Sequence, residues 1–475
     1  MAKRNQPCPC GSNIKYKKCC GSPQKRASLS VDPNSSIALK NQGLSCLEQR
    51  RYEEAANYFR KSLVVDPNST IVLEKLGFVY FVQGSYEESV DCFLKSLAID
   101  PDRAMTLDDL GSIYLKMRRY GEAVDSFNKA LSVDHEYNRA TYNLGLANQK
   151  YGKYIDAEKF FQKALSKNPK YAEALYGLGV ICNGQERVEE AIDYFNKALA
   201  IKPDSAKFHI YLVIIYWLNG DWGACKNQLA RLSGNKNLFA PGDYDFAAPY
   251  NDYLKKLLEY REANAEKYTT NENLPLIYVL GDSHCLSIAN TRVNFRGVDH
   301  FVEAKIVIGC KAWHLGNEEN NLYKHEFEKR VESIPAGATV ILMFGEIDCR
   351  PQEGIIKHYK SNNNVSLTKS TAALVDNYFS YVFNKLTARD ILPIICNIPI
   401  PDIKNIKMPE MDKELQRKVL SNFNQALEDH AGKEQLPVLD VYTLSKTPEE
   451  GYANKFHIDG VHLFPTVFED VIKEL

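Results

Sequence analysis

Residues 70–103 read TIVLEKLGFVYFVQGSYEESVDCFLKSLAIDPDR, and the same landmarks return every 34 residues on either side. The glycine Gly77 has counterparts at Gly43, Gly111, Gly145 and Gly179. Ser89 is matched by Ala55, Ala123, Ala157 and Ala191, and Phe93 by Phe59, Phe127, Phe161 and Phe195. Pro101 is matched by Pro33, Pro67, Pro169 and Pro203, with His135 filling the remaining slot. A repeat of this length sets the architecture before any single element is considered. Each unit is two helices: the small residues let them cross closely, the aromatic fills the gap between them, and proline ends the second. Six units follow, at 36–69, 70–103, 104–137, 138–171, 172–205 and 206–239. In the sixth, Val213 replaces the glycine and Leu229 the aromatic, as expected of a terminal unit adapting to a neighbour.

These landmarks resemble the tetratricopeptide repeat (TPR) family. The resemblance implies an all-α solenoid with a concave groove that binds peptides or partner proteins; a plain spacer is the other reading. Asn41 and Asn143 share one groove-facing phase, but Lys75 and Asp109 hold it between them, so no ligand class follows.

Upstream, residues 1–30 carry seven Lys or Arg, no acid, and four cysteines, Cys8, Cys10, Cys19 and Cys20. Two close pairs separated by a short loop can converge on one tetrahedral ion. Four thiolates hold Zn²⁺ at roughly 2.3 Å and supply the folding energy that so short a segment lacks. Two disulfides are the alternative. The run CPCGSNIKYKKCCG resembles the SEC-C motif, the zinc-binding tail first known from the preprotein-translocating ATPase SecA, where it docks on a chaperone and on ribosomes. The resemblance implies a structural zinc and protein binding here.

The chain as a whole has 475 residues, a net charge of −1 and twelve cysteines. That length implies several cores. The charge balance gives no specific nucleic-acid signal, and no apolar run approaches the roughly 20 residues needed to span a bilayer. The N-terminus has no hydrophobic signal region, so a reducing, cytoplasmic setting is expected.

Downstream, 240–273 reads as a connector, with a charged, tyrosine-rich helix over Tyr250–Tyr268 capping the last repeat. From residue 274 the period changes. Apolar runs at Leu276–Leu280, Ala304–Ile308, Thr339–Phe344, Leu392–Ile398 and Val438–Tyr442 alternate with helical patterns near 319–333, 369–389 and 409–430. This alternation predicts a three-layer α/β/α domain over 274–475, built on a parallel sheet.

The chemistry-bearing residues fall at the predicted strand ends, where open sheets keep their sites. After the first strand comes Gly281-Asp282-Ser283-His284, and near the C-terminus HIDGVH places Asp459 three residues before His462. A serine hydroxyl needs a base to take its proton, and the base needs a carboxylate to fix its tautomer. Ser283, His462 and Asp459 can supply nucleophile, base and orienter. The Ser283 and Gly309 backbone N–H groups are candidate donors to a developing oxyanion. Asp282 is expected to cap the following helix, and Glu346, Asp348 and Arg350 form either an ion pair or a substrate contact. Cys285, Cys310 and Cys349 also follow strand ends, where small thiols pack well; a second metal site is the alternative.

This ordering resembles the SGNH (GDSL-type) hydrolases, which cleave or transfer acyl groups on esters of lipids and carbohydrates. The resemblance implies Ser283 as nucleophile, Gly309 as the oxyanion glycine, and Asp459 with His462 as the last block, with no catalytic cofactor. In the family's G-x-N-D block the sequence has Gly345, Glu346, Ile347 and Asp348, so the donor asparagine is an isoleucine. Arg350 is the nearest residue able to donate in its place. Two functions are expected: a cytoplasmic ester hydrolase or O-acyltransferase recruited by its repeats and zinc motif, or a TPR scaffold whose SGNH-like domain binds a ligand without turnover.

Overall fold

The structure, a computed structural model, describes residues 34–233, 247–268, 273–350, 354–361, 366–401, 408–445, 462–473 and 475. Cys8, Cys10, Cys19, Cys20 and Asp459 lie outside the described residues. The chain divides into two compact units, Met1–Asn148 and Gln149–Leu475.

The first unit contains the helix pairs α1 (Ser36–Glu48) with α2 (Tyr52–Val65), α3 (Thr70–Gln83) with α4 (Tyr86–Ile99), and α5 (Ala104–Lys116) with α6 (Tyr120–Val133); α7 (Asn138–Lys150) carries the division between units. The repeat landmarks act as expected. A Cβ added at Gly77 or Gly111 would sit 2.7 Å from the ring of Phe93 or Phe127, so only glycine admits the aromatic of the partner helix at that depth. The first helix of each pair ends on a residue with positive φ, and these too are spaced by 34: Arg50, Gly84, Arg118, Gly152, Glu186 and Gly220. The second helices open on acids such as Glu53, Glu54, Glu87 and Glu88, which favour the positive end of the helix dipole.

The second unit begins with α8 (Tyr154–Lys167), α9 (Ala172–Gly184), α10 (Val188–Ile201), α11 (Ala206–Leu218) and α12 (Trp222–Ser233), followed by the connector helix α13 (Ala247–Ala263). Then comes a sheet that has six strands among the described residues: β1 (Leu276–Gly281), β2 (Arg292–Phe295), β3 (Val298–Ile306), β4 (Val340–Met343), β5 (Pro393–Cys396) and β6 (Val438–Leu439), in the order β2-β3-β1-β4-β5-β6. Five strands run parallel, but β2 pairs antiparallel with β3, so the sheet is mixed and not the all-parallel one expected. The cause is local. Arg296 and Gly297 both have positive φ, the two-residue turn whose twist matches a hairpin, and Phe295 pairs directly with Val298.

Strand alternation separates two layers of packing. Tyr278, Leu280, Val340, Leu342 and Ile395 face α16 (Leu322–Ser333), α18 (Leu367–Thr387) and α19 (Glu410–Lys433). Ile277, Val279, Ile341, Met343 and Ile394 face the short α14 (Cys285–Ile288) and α21 (Pro465–Ile472). The sixth helix pair and α13 join this body through Trp217, Leu229, Tyr253 and Leu254, packed in one core with Leu286, Ala289 and Ile306. From β1 the chain crosses to β3 on one side and returns to β4 on the other. The carboxyl ends of β1 and β4 are therefore a topological switch point, where open sheets bind ligands. Among the described residues no helix is long and apolar enough to cross a membrane.

Candidate functional site

Gly281 ends β1 in a space no side chain could share: a Cβ there would lie 2.2 Å from the Met343 carbonyl oxygen of β4. The close approach turns the chain sharply at the switch point and sets Ser283 just before α14. The hydroxyl of Ser283 lies 2.9 Å from Nε2 of His462, 179 residues later. When Nδ1 carries the ring proton, Nε2 accepts from the hydroxyl. Ser283 and His462 are 6% and 8% exposed, so the pair sits where water screens little. Asp459, expected to bond the far nitrogen, lies outside the described residues.

Asp282 does not make the helix cap expected of it: α14 starts from His284 without a side-chain capping bond, and Asp282 fixes the turn before it. Its Oδ1 accepts from the His284 backbone N–H at 3.0 Å and lies 2.9 Å from the His284 ring Nδ1. Burial opposes a charge on His284, but the Asp282 carboxylate, through charge and hydrogen bond, and Glu346 outweigh it and raise its pKa. Asp282 Oδ2 and His284 Nε2 are buried and have no hydrogen-bond partner among the described residues. Asp282 and His284 border a pocket lined also by Met343, Glu346, Asn397 and Phe468.

The other predicted residues occupy the neighbouring strand ends. Gly309 has a φ of +71° on the turn after β3, and a Cβ there would lie 3.9 Å from the Tyr323 hydroxyl. Gly345, after β4, has a φ of +114° and is pressed against Phe423 and Ile398. Arg350 forms an ion pair with Glu346, its Nε 3.0 and 2.9 Å from the two carboxylate oxygens. Asp348 stands apart. Its carboxylate accepts from the N–H groups of Ala312 and Trp313 at 2.7 and 3.2 Å, capping α15 (Ala312–Gly316). Burial pushes its pKa up to about 7 against those donors and Lys311. Ile347 opens a short 3₁₀ turn, and its side chain has no polar atom to offer.

Cys285, Cys310 and Cys349 are buried, and burial raises each thiol well above its ordinary pKa. Among the described residues no group of three or more His, Cys, Asp and Glu could hold a metal ion.

Sequence reasoning missed the contribution of α13. The ring of Tyr253 stacks on His462, centroids 3.7 Å apart and planes 11° from parallel, and its hydroxyl donates to the Ser283 carbonyl at 3.4 Å. Tyr250, one turn earlier, packs against the core that contains Tyr253. The tyrosine-rich composition of the connector was visible, but composition does not say which ring meets which partner.

Residues 36–69, 69–136, 109–165 and 149–206 match tetratricopeptide repeat profiles, and residues 4–22 match the SEC-C motif. The chain thus carries TPR repeats and a SEC-C motif. It is similar to the solved structure of MamA, at 27% identity over 34% of this chain and 94% of that one, with a TM-score of 0.33. Pseudomonas aeruginosa PilF is 22% identical over 49% of this chain and 97% of that one, TM-score 0.38. YrrB, described as a TPR protein with an unusual peptide-binding site, is 23% identical over 38% and 92%, TM-score 0.34. No curated protein matches the chain.

Proposed function

We propose that the protein is a TPR adaptor, whose N-terminal repeats hold a peptide or protein segment and whose C-terminal α/β body carries the Ser283 site. The observation behind this is a row of apolar side chains left in water. Ile37, Ile71 and Met105 occupy the same position of successive first helices and are 61%, 48% and 65% exposed. A periodic apolar row is costly in water unless a partner covers it. Replacing Ile71 and Met105 by Asp should remove the partners that wild type retains in affinity capture while leaving the helical circular dichroism intact. Undiminished capture of the same partners would rule this surface out.

The 2.9 Å contact between Ser283 and His462 favours a second reading, in which the α/β body is an ester hydrolase or O-acyltransferase acting on an ester-bearing carbohydrate or lipid. Ser283 gives its proton to His462 Nε2 as its oxygen attacks the acyl carbon. The oxyanion draws on the Ser283 and Gly309 N–H groups. His462 then returns the proton to the departing alkoxide, leaving an acyl-serine that water or an acceptor hydroxyl releases. Asp459 is proposed to orient His462. With Ile347 in the third donor's place and Arg350 bound to Glu346, turnover would run about 10²–10³ below that of a complete site. A fluorophosphonate probe discriminates between the readings. Labelling that vanishes in Ser283→Ala supports acyl chemistry; no labelling of folded wild type leaves the adaptor alone.

A further inference from the structure

We infer that the connector helix α13 is a working part of the Ser283 site, with Tyr253 as the residue that positions the His462 imidazole; this rests on reading Ser283 and His462 as a reacting pair. A base of this kind works only while Nε2 stays on the hydroxyl. Rotation of the ring about its own axis, or a swing of the side chain, removes it. A flat neighbour at stacking distance opposes both motions, because tilting the imidazole drives its edge into the phenol ring.

Tyr253 meets that need. Its ring is nearly parallel to His462 at 3.7 Å, and on another side His284 contacts the imidazole, ring centres 4.6 Å apart. Tyr253 is itself fixed. It is fully buried, in one core with Trp217, Leu229, Leu254 and Leu257. Its hydroxyl reaches the Ser283 carbonyl oxygen, so one side chain touches both members of the pair. The core behind it is bonded to the nucleophile turn as well: the Trp217 indole N–H donates to the Leu286 carbonyl at 2.9 Å, and the Asn290 amide to the Trp217 carbonyl at 2.7 Å. The last repeat pair, the connector and the Ser283 turn thus form one packed support.

The experiment uses the full chain and two readouts, the rate of Ser283 labelling by a fluorophosphonate and the His462 ring-proton NMR signals. Tyr253→Phe keeps the flat face and should label within a few-fold of wild type. Tyr253→Leu keeps apolar volume without the face; it should label about 10²-fold more slowly, the loss typical of a misplaced reacting group. The upfield ring-current shift of His462 should persist in the Phe variant and disappear in the Leu variant. Equal labelling of Tyr253→Leu and wild type would overturn the inference, as would an unmoved His462 signal. If wild type never labels but the His462 signal moves as described, acyl chemistry fails and the positioning contact stands.

Discussion

Arg330 is a cation held almost out of water, at 6% exposure, and its partners come from far along the chain. One Nη2 donates to the Asn183 carbonyl at 2.9 Å, Nε to the Ile306 carbonyl at 3.2 Å, and Nη1 pairs with Glu186. Glu186 occupies the positive-φ slot that glycine takes in three other repeats, with a φ of 63°. A side chain there is mildly strained, yet it is what aims the carboxylate at Arg330 and at Lys305, 3.2 Å away. Arg330→Met leaves two carbonyls and a carboxylate short of donors. It should cost about 3–5 kcal/mol in chemical denaturation, with Arg330→Lys recovering only part because a point charge cannot fork to three acceptors. Of this cluster the sequence disclosed nothing, since no spacing links residues 144 and 147 positions apart. Ser283 and His462 were legible for the opposite reason. Each sits in a short local pattern, a glycine turn after an apolar run and a D-x-x-H, that needs no knowledge of the fold.

At the scale of elements, periodicity located most helices and strands, and local chemistry moved their ends. The apolar run expected as a strand over Val438–Tyr442 stops at Leu439, because Asp440 accepts from the Thr443 N–H at 2.9 Å and starts a helical turn over Val441–Leu444. The strand expected over Ala304–Ile308 instead runs Val298–Ile306. Asp299, Glu303 and Lys305 alternate along one of its faces, so hydropathy under-weights it. The strand β2 was missed altogether. Its signal was the Arg296-Gly297 turn, which lacks the Asn or Asp that usually marks a two-residue hairpin. Elements whose pattern is set by burial on one face were readable. Those set by a single cap or turn were not.

For the whole molecule, the repeats and the α/β body account for the described residues, and the N-terminal cysteines remain as a separate expectation from sequence. Cys8, Cys10, Cys19 and Cys20 predict about one zinc per chain by elemental analysis, lost when residues 1–30 are removed. Zinc retained by the truncated chain would assign it elsewhere. The sequence by itself determined the 34-residue period, the helix pairs it demands, the change to strand-helix alternation near residue 274, and the residues able to do chemistry at the strand ends. Each of these follows from contacts between near neighbours, which leave a period or a spacing in the chain. Only the tertiary structure decided that Ser283 meets His462, that Glu346 engages Arg350 while Asp348 caps a helix, and that Tyr253 lies flat on the imidazole. The first and last of these join residues 179 and 209 positions apart, and packing at that range leaves no periodic mark to read.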